Sequence, residues 1–473
     1  MIGKMASVRL ERMKLVLTDW ITANLAFMLF NLLRFFESSW TSHSLEGAVR
    51  YLFNPKLCIE QTIIPLILLG LYWLSGFYNN PFGKSRFNEL LNTAIISALS
   101  TILIHLALLT NDQMSNISSN LLQILVIYII FFTLTFLGRL IVINNQIKHF
   151  KSRNWKYTVV IVGNSEKAHS LAAKLTESKA VISYSIEGFF KINDEKDYCE
   201  GAMELDSLAD FCRERKIDQI ILAPEKSDEE YVLNLVYRLF PIGKPIKLSP
   251  EMMNFMTSSI KLKDIYGFPL VDLTHSSMSE SEKNIKRSID VIASFITLLV
   301  LSPLFLFLAI RVKTDSKGPV FYRQERIGLK ERPFQIIKFR TMYTDAEEDG
   351  PKLSSDDDPR VTKVGRTMRK YRLDELPQFW NVLKGEMSIV GPRPERKYFI
   401  NQIIKQAPYY TLLYQARPGI TSWGMVKFGY ASHIYEMVER SKYDLLYISN
   451  MSVLVDFKIM LYTVLTIMEG KGK

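Results

Sequence analysis

The sequence predicts a multidomain membrane protein. It joins an N-terminal four-helix transmembrane bundle, a Rossmann-like α/β middle domain and a C-terminal α-rich domain anchored by a re-entrant membrane helix. Three observations predict this. Four apolar stretches of near-spanning length crowd residues 15–143, β-branched runs alternate with helical patterns over 157–250, and one further apolar stretch, 289–312, is basic at both ends. The 473 residues are 48% hydrophobic and 23% charged, too charged for a bundle alone and too apolar for a disordered chain. The expected units are 1–150, 151–275 and 282–473. Cys58, Cys199 and Cys212 lack metal-ligand spacing, which argues against a disulfide scaffold or a cysteine zinc site.

The four N-terminal stretches are 15–33, 62–77, 91–109 and 121–143. Each approaches the length that crosses a hydrocarbon layer of about 30 Å. Asp19, Asn24 and Asn31 make the first one polar in places, and no small-residue cleavage site follows it as in a removed leader. Basic residues orient the bundle: Lys4, Arg9, Arg12 and Lys14 precede it, Lys84 and Arg86 lie in the 79–90 loop, and Arg139, Lys148, Lys151, Arg153 and Lys156 mark its exit. The 110–120 loop has no Lys or Arg, and Arg34, Arg50 and Lys56 in 34–61 are diluted by Glu37, Glu46 and Glu60. The bias places both ends of the bundle in the cytoplasm.

In the middle region, 157–162 is a strand-like run followed by Gly163 and a helix over 166–177. Strands over 181–190, 219–223 and 245–248 alternate with helices over 207–215 and 228–240, the pattern of a parallel sheet. Dinucleotide binding asks for three glycines in G-x-G-x-x-G, but Gly163 stands alone and Asn164-Ser165-Glu166 brings a negative charge to the phosphate position. The expectation is a Rossmann-like domain without an evident cofactor site.

The stretch 289–312 is flanked by Lys283, Lys286 and Arg287 before it and Arg311, Lys313, Lys317 and Arg323 after it. A crossing would strand one cluster on the wrong side. Ser302-Pro303 in its middle removes a helix hydrogen bond, and the Ser302 side chain is placed to take up part of the freed bonding. A helix that enters, turns at the break and returns to the same face satisfies both observations; an ordinary kinked fifth span is the alternative. Near the end, 451–468 is apolar with Asp456 and Lys458 inside it, the expectation for an amphipathic interfacial helix. A net charge of +11 suits anionic headgroups.

Chemistry concentrates in 318–424. Lys338-Phe339-Arg340 closes a hydrophobic run, Arg366, Arg369, Lys370 and Arg372 lead into Leu373-Asp374-Glu375-Leu376-Pro377-Gln378, and Gly391-Pro392-Arg393-Pro394 sets an arginine between prolines. Adjacent acids among arginines suit phosphoryl transfer. One carboxylate can attack phosphorus, a neighbour can hold Mg2+ against phosphate oxygens, and guanidinium forks can bind the remaining oxygens. In isolation Asp374-Glu375 reads more simply as a solvated helix face, but the surrounding prolines and glycines fit fixed turns better. Asp356-Asp357-Asp358 ahead of Pro359 reads as a loop, and His433 has no partner histidine at ligand spacing.

These residues carry a resemblance. Lys286-Arg287 with Asp290, the Ser302-Pro303 break, Gly318-Pro319-Val320-Phe321 leading to Gln324-Glu325-Arg326-Ile327-Gly328, Lys338-Phe339-Arg340, Arg372-Leu373-Asp374-Glu375-Leu376-Pro377-Gln378, Trp380-Asn381-Val382-Leu383-Lys384-Gly385, Gly391-Pro392-Arg393-Pro394 and Arg417-Pro418-Gly419-Ile420-Thr421 resemble the bacterial sugar transferase family, the polyprenyl-phosphate hexose-1-phosphate transferases. The likeness covers about 282–473, and the whole layout is similar to the large members that start exopolysaccharide or O-antigen synthesis.

The resemblance implies that Asp374 attacks the sugar-bearing phosphate of a UDP-sugar and expels UMP, that Glu375 helps to hold Mg2+, and that polyprenyl phosphate then collects the phosphosugar. Lys338, Arg340, Arg369, Arg393 and Arg417 are the implied substrate-binding cations. Glucose- or galactose-1-phosphate is the implied cargo, and the setting a bacterial inner membrane with the catalytic domain on the cytoplasmic side. Partners would be the UDP-sugar, polyprenyl phosphate, membrane lipids and a second copy in a homodimer, with no nucleic acid. Arg372 departs from the Ser or Thr common before Leu-Asp-Glu, and Ser422-Trp423-Gly424-Met425 from the usual Gly-Trp-Ala-Gln-like run. The competing readings are a membrane-anchored nucleotide-sensing scaffold or regulator of polysaccharide assembly, and a transferase without a covalent intermediate.

Overall fold

A computed structural model describes residues 2–38, 45–79, 86–109, 117–152, 156–177, 183–192, 198, 200–225, 228–248, 271–272, 277–346, 350 and 358–468. Lys84, Arg153, Cys199, Asp356 and Asp357 lie outside them.

The N-terminal region folds as α1 (Ile2–Ser38), α2 (Leu45–Leu52), α3 (Pro55–Leu74), α4 (Arg86–Leu109) and α5 (Ile117–Ser152). Among the described residues, four helical segments are long and apolar enough to cross a membrane: Arg9–Phe36, Pro55–Leu74, Glu89–Leu106 and Leu121–Gln146. Phe27, Leu68, Ile104 and Phe131 pack inside, while Leu17, Leu66, Leu99 and Leu125 face outward, the pattern of a bundle whose surroundings are apolar too. The polar residues of α1 are absorbed locally. The Asn24 and Asn31 side chains donate to the carbonyls of Trp20 and Phe27, at 2.8 and 2.9 Å.

Asp19 receives both arms of Arg139, at 2.8 and 2.7 Å. This corrects one expectation: Arg139 is fully buried between the rings of Tyr72 and Phe77, so it serves the bundle core and is no part of the charge at the exit of α5. A lone guanidinium in that core would be unaffordable; paired and sandwiched between rings, it holds α1, α3 and α5 together.

The middle region carries a six-stranded sheet in the order β3-β2-β1-β4-β5-β6. In chain order the elements are β1 (Lys156–Val162), α6 (Glu166–Glu177), β2 (Ser183–Lys191), β3 (Met203–Glu204), α7 (Leu208–Glu214), β4 (Gln219–Leu222), α8 (Glu229–Leu239), β5 (Ile246–Leu248) and β6 (Val271–Asp272). All pairings are parallel except β5 with β6. Val159–Val162 and Ile220–Leu222 are fully buried because helices cover both faces. Gly163, at φ +128, passes so close to the Ala223 carbonyl that a Cβ would collide with it. Beyond it the chain folds over the strand end: the Tyr198 N–H donates to the Asn164 carbonyl at 3.0 Å, and His169 pairs with the Asn164 side chain at 2.9 Å while stacking on Phe189.

The C-terminal region opens with α9 (Glu280–Val300), started by a Ser279–Glu282 capping box, and α10 (Ser302–Asp315), which leaves α9 at a bend of 63°. Pro303 sits in the first turn of α10, where its missing N–H costs nothing, and the Ser302 hydroxyl donates to the Leu299 carbonyl at 2.8 Å. Ile292, Phe295, Leu299, Val300, Leu306, Phe307 and Ile310 stay exposed on both arms.

A hairpin of β7 (Phe321–Ile327) and β8 (Pro333–Phe339) follows, then α11 (Lys363–Lys370), α12 (Gln378–Lys384), β9 (Ser388–Val390), α13 (Lys397–Gln406), β10 (Gly419–Thr421), α14 (Trp423–Lys427), α15 (Ile434–Ser449) and α16 (Val453–Met468). Polar bonds seat α9 on this domain. Asp290 accepts from the Ser388 hydroxyl at 2.7 Å and the Ile389 N–H at 3.1 Å, and Lys286 reaches Asp456 at 2.6 Å. The last contact changes the expectation for 451–468. Asp456 points inward to Lys286 and the Tyr447 hydroxyl, so α16 turns Leu454, Phe457, Leu461 and Leu465 outward with Lys458.

The three regions touch. Asn79, just after α3, donates to Glu280 at 2.8 Å, and Asn284 donates to the Trp73 carbonyl at 2.5 Å. Tyr237 of α8 meets Tyr409 edge to face.

Candidate active site

The acidic pair is set by backbone geometry. Arg372, at φ 53, adopts a left-handed conformation that stops α11 and tips the chain into a 3-10 turn over Leu373–Glu375. Pro377 then starts α12. The turn directs both carboxyls inward, leaving Asp374 8% and Glu375 5% exposed. Lys338 comes from the end of β8, and Arg369 from the last turn of α11, where its Nε donates to the Thr341 hydroxyl at 3.0 Å.

Arg393 lies beyond β9. Gly391 approaches the Arg417 carbonyl so closely that a Cβ would collide, which fixes where the loop leaves the β9–β10 pair. Asp444 then ties the loop down by accepting the Arg393 N–H at 3.3 Å and the Gly424 N–H at 2.8 Å.

These side chains border a cavity of about 410 Å³, with Tyr322, Tyr343 and Tyr430 among its walls. Glu375 Oε1 accepts from Lys338 Nζ at 2.7 Å and lies 4.0 Å from Arg393, while its Oε2 is 3.7 Å from Arg372. The Tyr430 ring carries the guanidiniums of Arg372 and Arg393 at 5.2 and 5.5 Å. Behind Arg393, Glu395 binds Arg440 at 2.6 Å and Arg326 at 3.3 Å.

Burial pushes the Asp374 carboxyl up to about 6; Lys338 and Arg369 pull the other way, and the Glu375 charge adds to the rise. Burial also opposes ionisation of Glu375, but Lys338, Arg372 and Arg393 overcome it and hold that carboxyl down at about 2. At neutral pH both are therefore ionised. Glu375 has one close cation, Lys338, and two arginines at longer range, whereas no side-chain hydrogen bond to Asp374 occurs among the described residues.

The structure brings Lys338, Arg369, Asp374, Glu375 and Arg393 to one cavity. Arg340 borders it too, but its fork is spent on the carbonyls of Lys317 and Ser316 at the end of α10, tying the cavity to the bent helix pair. Arg417 stands outside it and donates to the Gly385 carbonyl at 3.0 Å. Ser302 and Pro303 form the bend and do not line the cavity. Asp358 is held by Arg360 at 2.8 and 2.6 Å, a structural use. Tyr430, Glu395, Arg440 and Asp444 were not singled out as site residues, and Arg372 drew notice only as a departure; the left-handed turn was the unread signal.

Known proteins resemble this chain in sequence. The family model described as bacterial sugar transferase matches residues 281–470, and one described as a CoA-binding domain matches 74–250. A UDP-glucose:undecaprenyl-phosphate glucose-1-phosphate transferase of Caulobacter vibrioides is 42% identical over 183 residues, 38% of this chain and 68% of that protein. The chain belongs to the bacterial sugar transferase family. Among relatives of this chain are a UDP-N-acetylgalactosamine-undecaprenyl-phosphate N-acetylgalactosaminephosphotransferase of Aeromonas hydrophila, 38% identical over 228 residues, 48% of this chain and 53% of that protein, and a UDP-glucose:undecaprenyl-phosphate glucose-1-phosphate transferase of Klebsiella pneumoniae, 36% identical over 265 residues, 56% of this chain and 57% of that protein. The matches thus span little more than half the length of these two relatives.

Proposed function

We propose that this sugar transferase moves hexose-1-phosphate from a UDP-hexose to undecaprenyl phosphate, giving undecaprenyl-diphospho-hexose and UMP, the first membrane step of an extracellular polysaccharide. The observation that carries the proposal is Asp374, a carboxylate without a side-chain partner among the described residues, bordering a cavity ringed by Lys338, Arg369 and Arg393. Asp374 attacks the sugar-bearing phosphorus, the bond from phosphorus to the UMP oxygen breaks, and UMP leaves with that electron pair. The acyl phosphosugar on Asp374 is then attacked by a phosphate oxygen of the lipid, which frees the carboxylate. Lys338, Arg369 and Arg393 neutralise the charge that develops on the transferring oxygens. Glucose or galactose is the hexose proposed; the relatives' names support glucose and also direct attention to N-acetylgalactosamine.

Among the described residues no three His, Cys, Asp or Glu side chains gather into a metal cage. Two adjacent carboxylates beside a cationic pocket instead suit an ion that takes one or two carboxylates and completes its shell with phosphate oxygens and water, as Mg2+ does. Glu375 would hold it, with Asp374 alongside. Bound there, Mg2+ would neutralise diphosphate charge and help UMP depart.

We further propose that α9 and α10 enter and leave the bilayer by one face, with the catalytic domain on the cytoplasmic side of a bacterial inner membrane. The 63° bend, the exposed apolar arms and the basic clusters at both ends support this reading. The Arg340 clamp would then hold the catalytic cavity beside the helix along which the lipid arrives.

The test is UMP release by the purified full chain with Mg2+, undecaprenyl phosphate and a panel of UDP-hexoses. Asp374→Asn should lower the rate by roughly 10³-fold or more. An unchanged rate in that variant would favour transfer without a covalent intermediate, and no UMP release by the native chain would favour the scaffold or regulator reading.

A further inference from the structure

A second cationic cluster lies apart from the catalytic cavity. α12 packs along α9, and two arginines distant in sequence meet at its C-terminal end. Arg287 of α9 donates to the carbonyls of Val382 and Leu383 at 2.7 and 3.0 Å, and Arg417 Nε donates to the Gly385 carbonyl at 3.0 Å. Gly385, at φ +85, keeps the space open: a Cβ there would lie 3.4 Å from the Arg287 guanidinium. Burial holds the Arg287 guanidinium below its ordinary range, the neighbouring Arg417 charge adds to this, and Asp290, engaged with Ser388 and Ile389, pulls the other way. The terminal amines of Arg417 make no hydrogen bond among the described residues, and exposed Lys384 adds a third cation. Two caps would satisfy the end of α12; they leave an excess of unneutralised donors.

The depth of the cluster says what fills it. Ile285 and Ile289, 38% and 39% exposed, bracket Arg287 on α9, and the exposed residues beyond them, Ile292, Phe295, Ile296, Leu299 and Val300, are all apolar. At about 1.5 Å per residue, Arg287 sits one short step before the lipid-facing stretch. Trp380, on the same helix α12, is 51% exposed, a residue type favoured at the headgroup level. We propose that Arg287, Arg417 and Lys384 form a site for the phosphate of an anionic phospholipid, which seats the α9–α12 corner in the headgroup layer. The site rests on the reading of α9 and α10 as a hairpin inserted in the bilayer.

The test titrates the full chain in mild detergent with phosphatidylglycerol, phosphatidylcholine or inorganic phosphate and reads the thermal shift. Phosphatidylglycerol should raise the melting temperature, with phosphatidylcholine and inorganic phosphate ineffective. Lys384→Gln, at an exposed side chain, should weaken the apparent affinity about fivefold, and Arg417→Gln at least as much. Wild-type affinity in both variants would overturn the site, and a full shift from inorganic phosphate would overturn its assignment to a lipid. A fluorophore on Val300→Cys in vesicles carrying quencher lipids reports insertion separately. Quenching with unchanged lipid affinity in the variants discards the site alone; no quenching discards the hairpin and the site together.

Discussion

Asp374 and Glu375 follow one another in the chain, yet the cations around them are shared unequally. Glu375 takes Lys338 at 2.7 Å with Arg372 and Arg393 close by; for Asp374, burial outweighs the pull of Lys338 and Arg369. Its raised carboxyl makes a signed prediction. The folded state favours the proton, so the associated stability is fully present below the unfolded value of 3.8 and lost as pH rises through about 6. From those two values, an ionised Asp374 costs the fold about 3 kcal/mol at neutral pH. Asp374→Asn should therefore raise the melting temperature near pH 7–8, with the gain vanishing near pH ~4, while abolishing turnover. The turnover of the native chain should rise with pH as Asp374 ionises through about 6. Glu375 behaves oppositely: its contribution is present above 4.5 and lost as pH falls toward about 2. Scanning calorimetry and a pH–rate profile check both signs.

At the scale of elements, Arg340 joins the bent pair to the catalytic hairpin. It follows β8, one residue beyond the Phe339 that packs with Leu308 and Val312 of α10, and its fork closes on the two carbonyls just past that helix. Arg340→Gln should lose a buried charge-assisted clamp and destabilise the chain by about 2–4 kcal/mol, with less effect on turnover per folded molecule than Arg393→Gln. Chemical denaturation paired with UMP release separates the two. What was legible at this scale follows from distance along the chain. Lys338, Asp374, Glu375 and Arg393 stood in short motifs whose neighbours announced turns, whereas the partners of Arg340 lie 23 and 24 residues away. The family resemblance offers Arg417 as a substrate ligand, but its carbonyl partner belongs to Gly385, 32 residues earlier. The parallel sheet was visible because β1 and β4 are unbroken apolar runs; β3, at two residues, was too short to show a period.

Over the whole molecule, the bundle, the sheet domain and the transferase domain converge on α9 and on the segment around Tyr409. Long-range pairing again hid what periodicity could not show: Asp19 and Arg139 are 120 residues apart, so a buried ion pair looked like a polar blemish and a surface charge. The hairpin reading makes a prediction at this scale. Cysteines placed at Lys283 and Lys317 should both be modified by a membrane-impermeant reagent from the same side, and labelling from opposite sides would mean that α9 and α10 cross.

The central claim is that phosphosugar passes through the Asp374 carboxylate. The most direct measurement incubates the purified full chain with Mg2+ and UDP-hexose, without lipid, and maps the adduct by mass spectrometry. One hexose phosphate on Asp374, released on adding undecaprenyl phosphate, is the predicted result; full turnover with no adduct on Asp374 would contradict it.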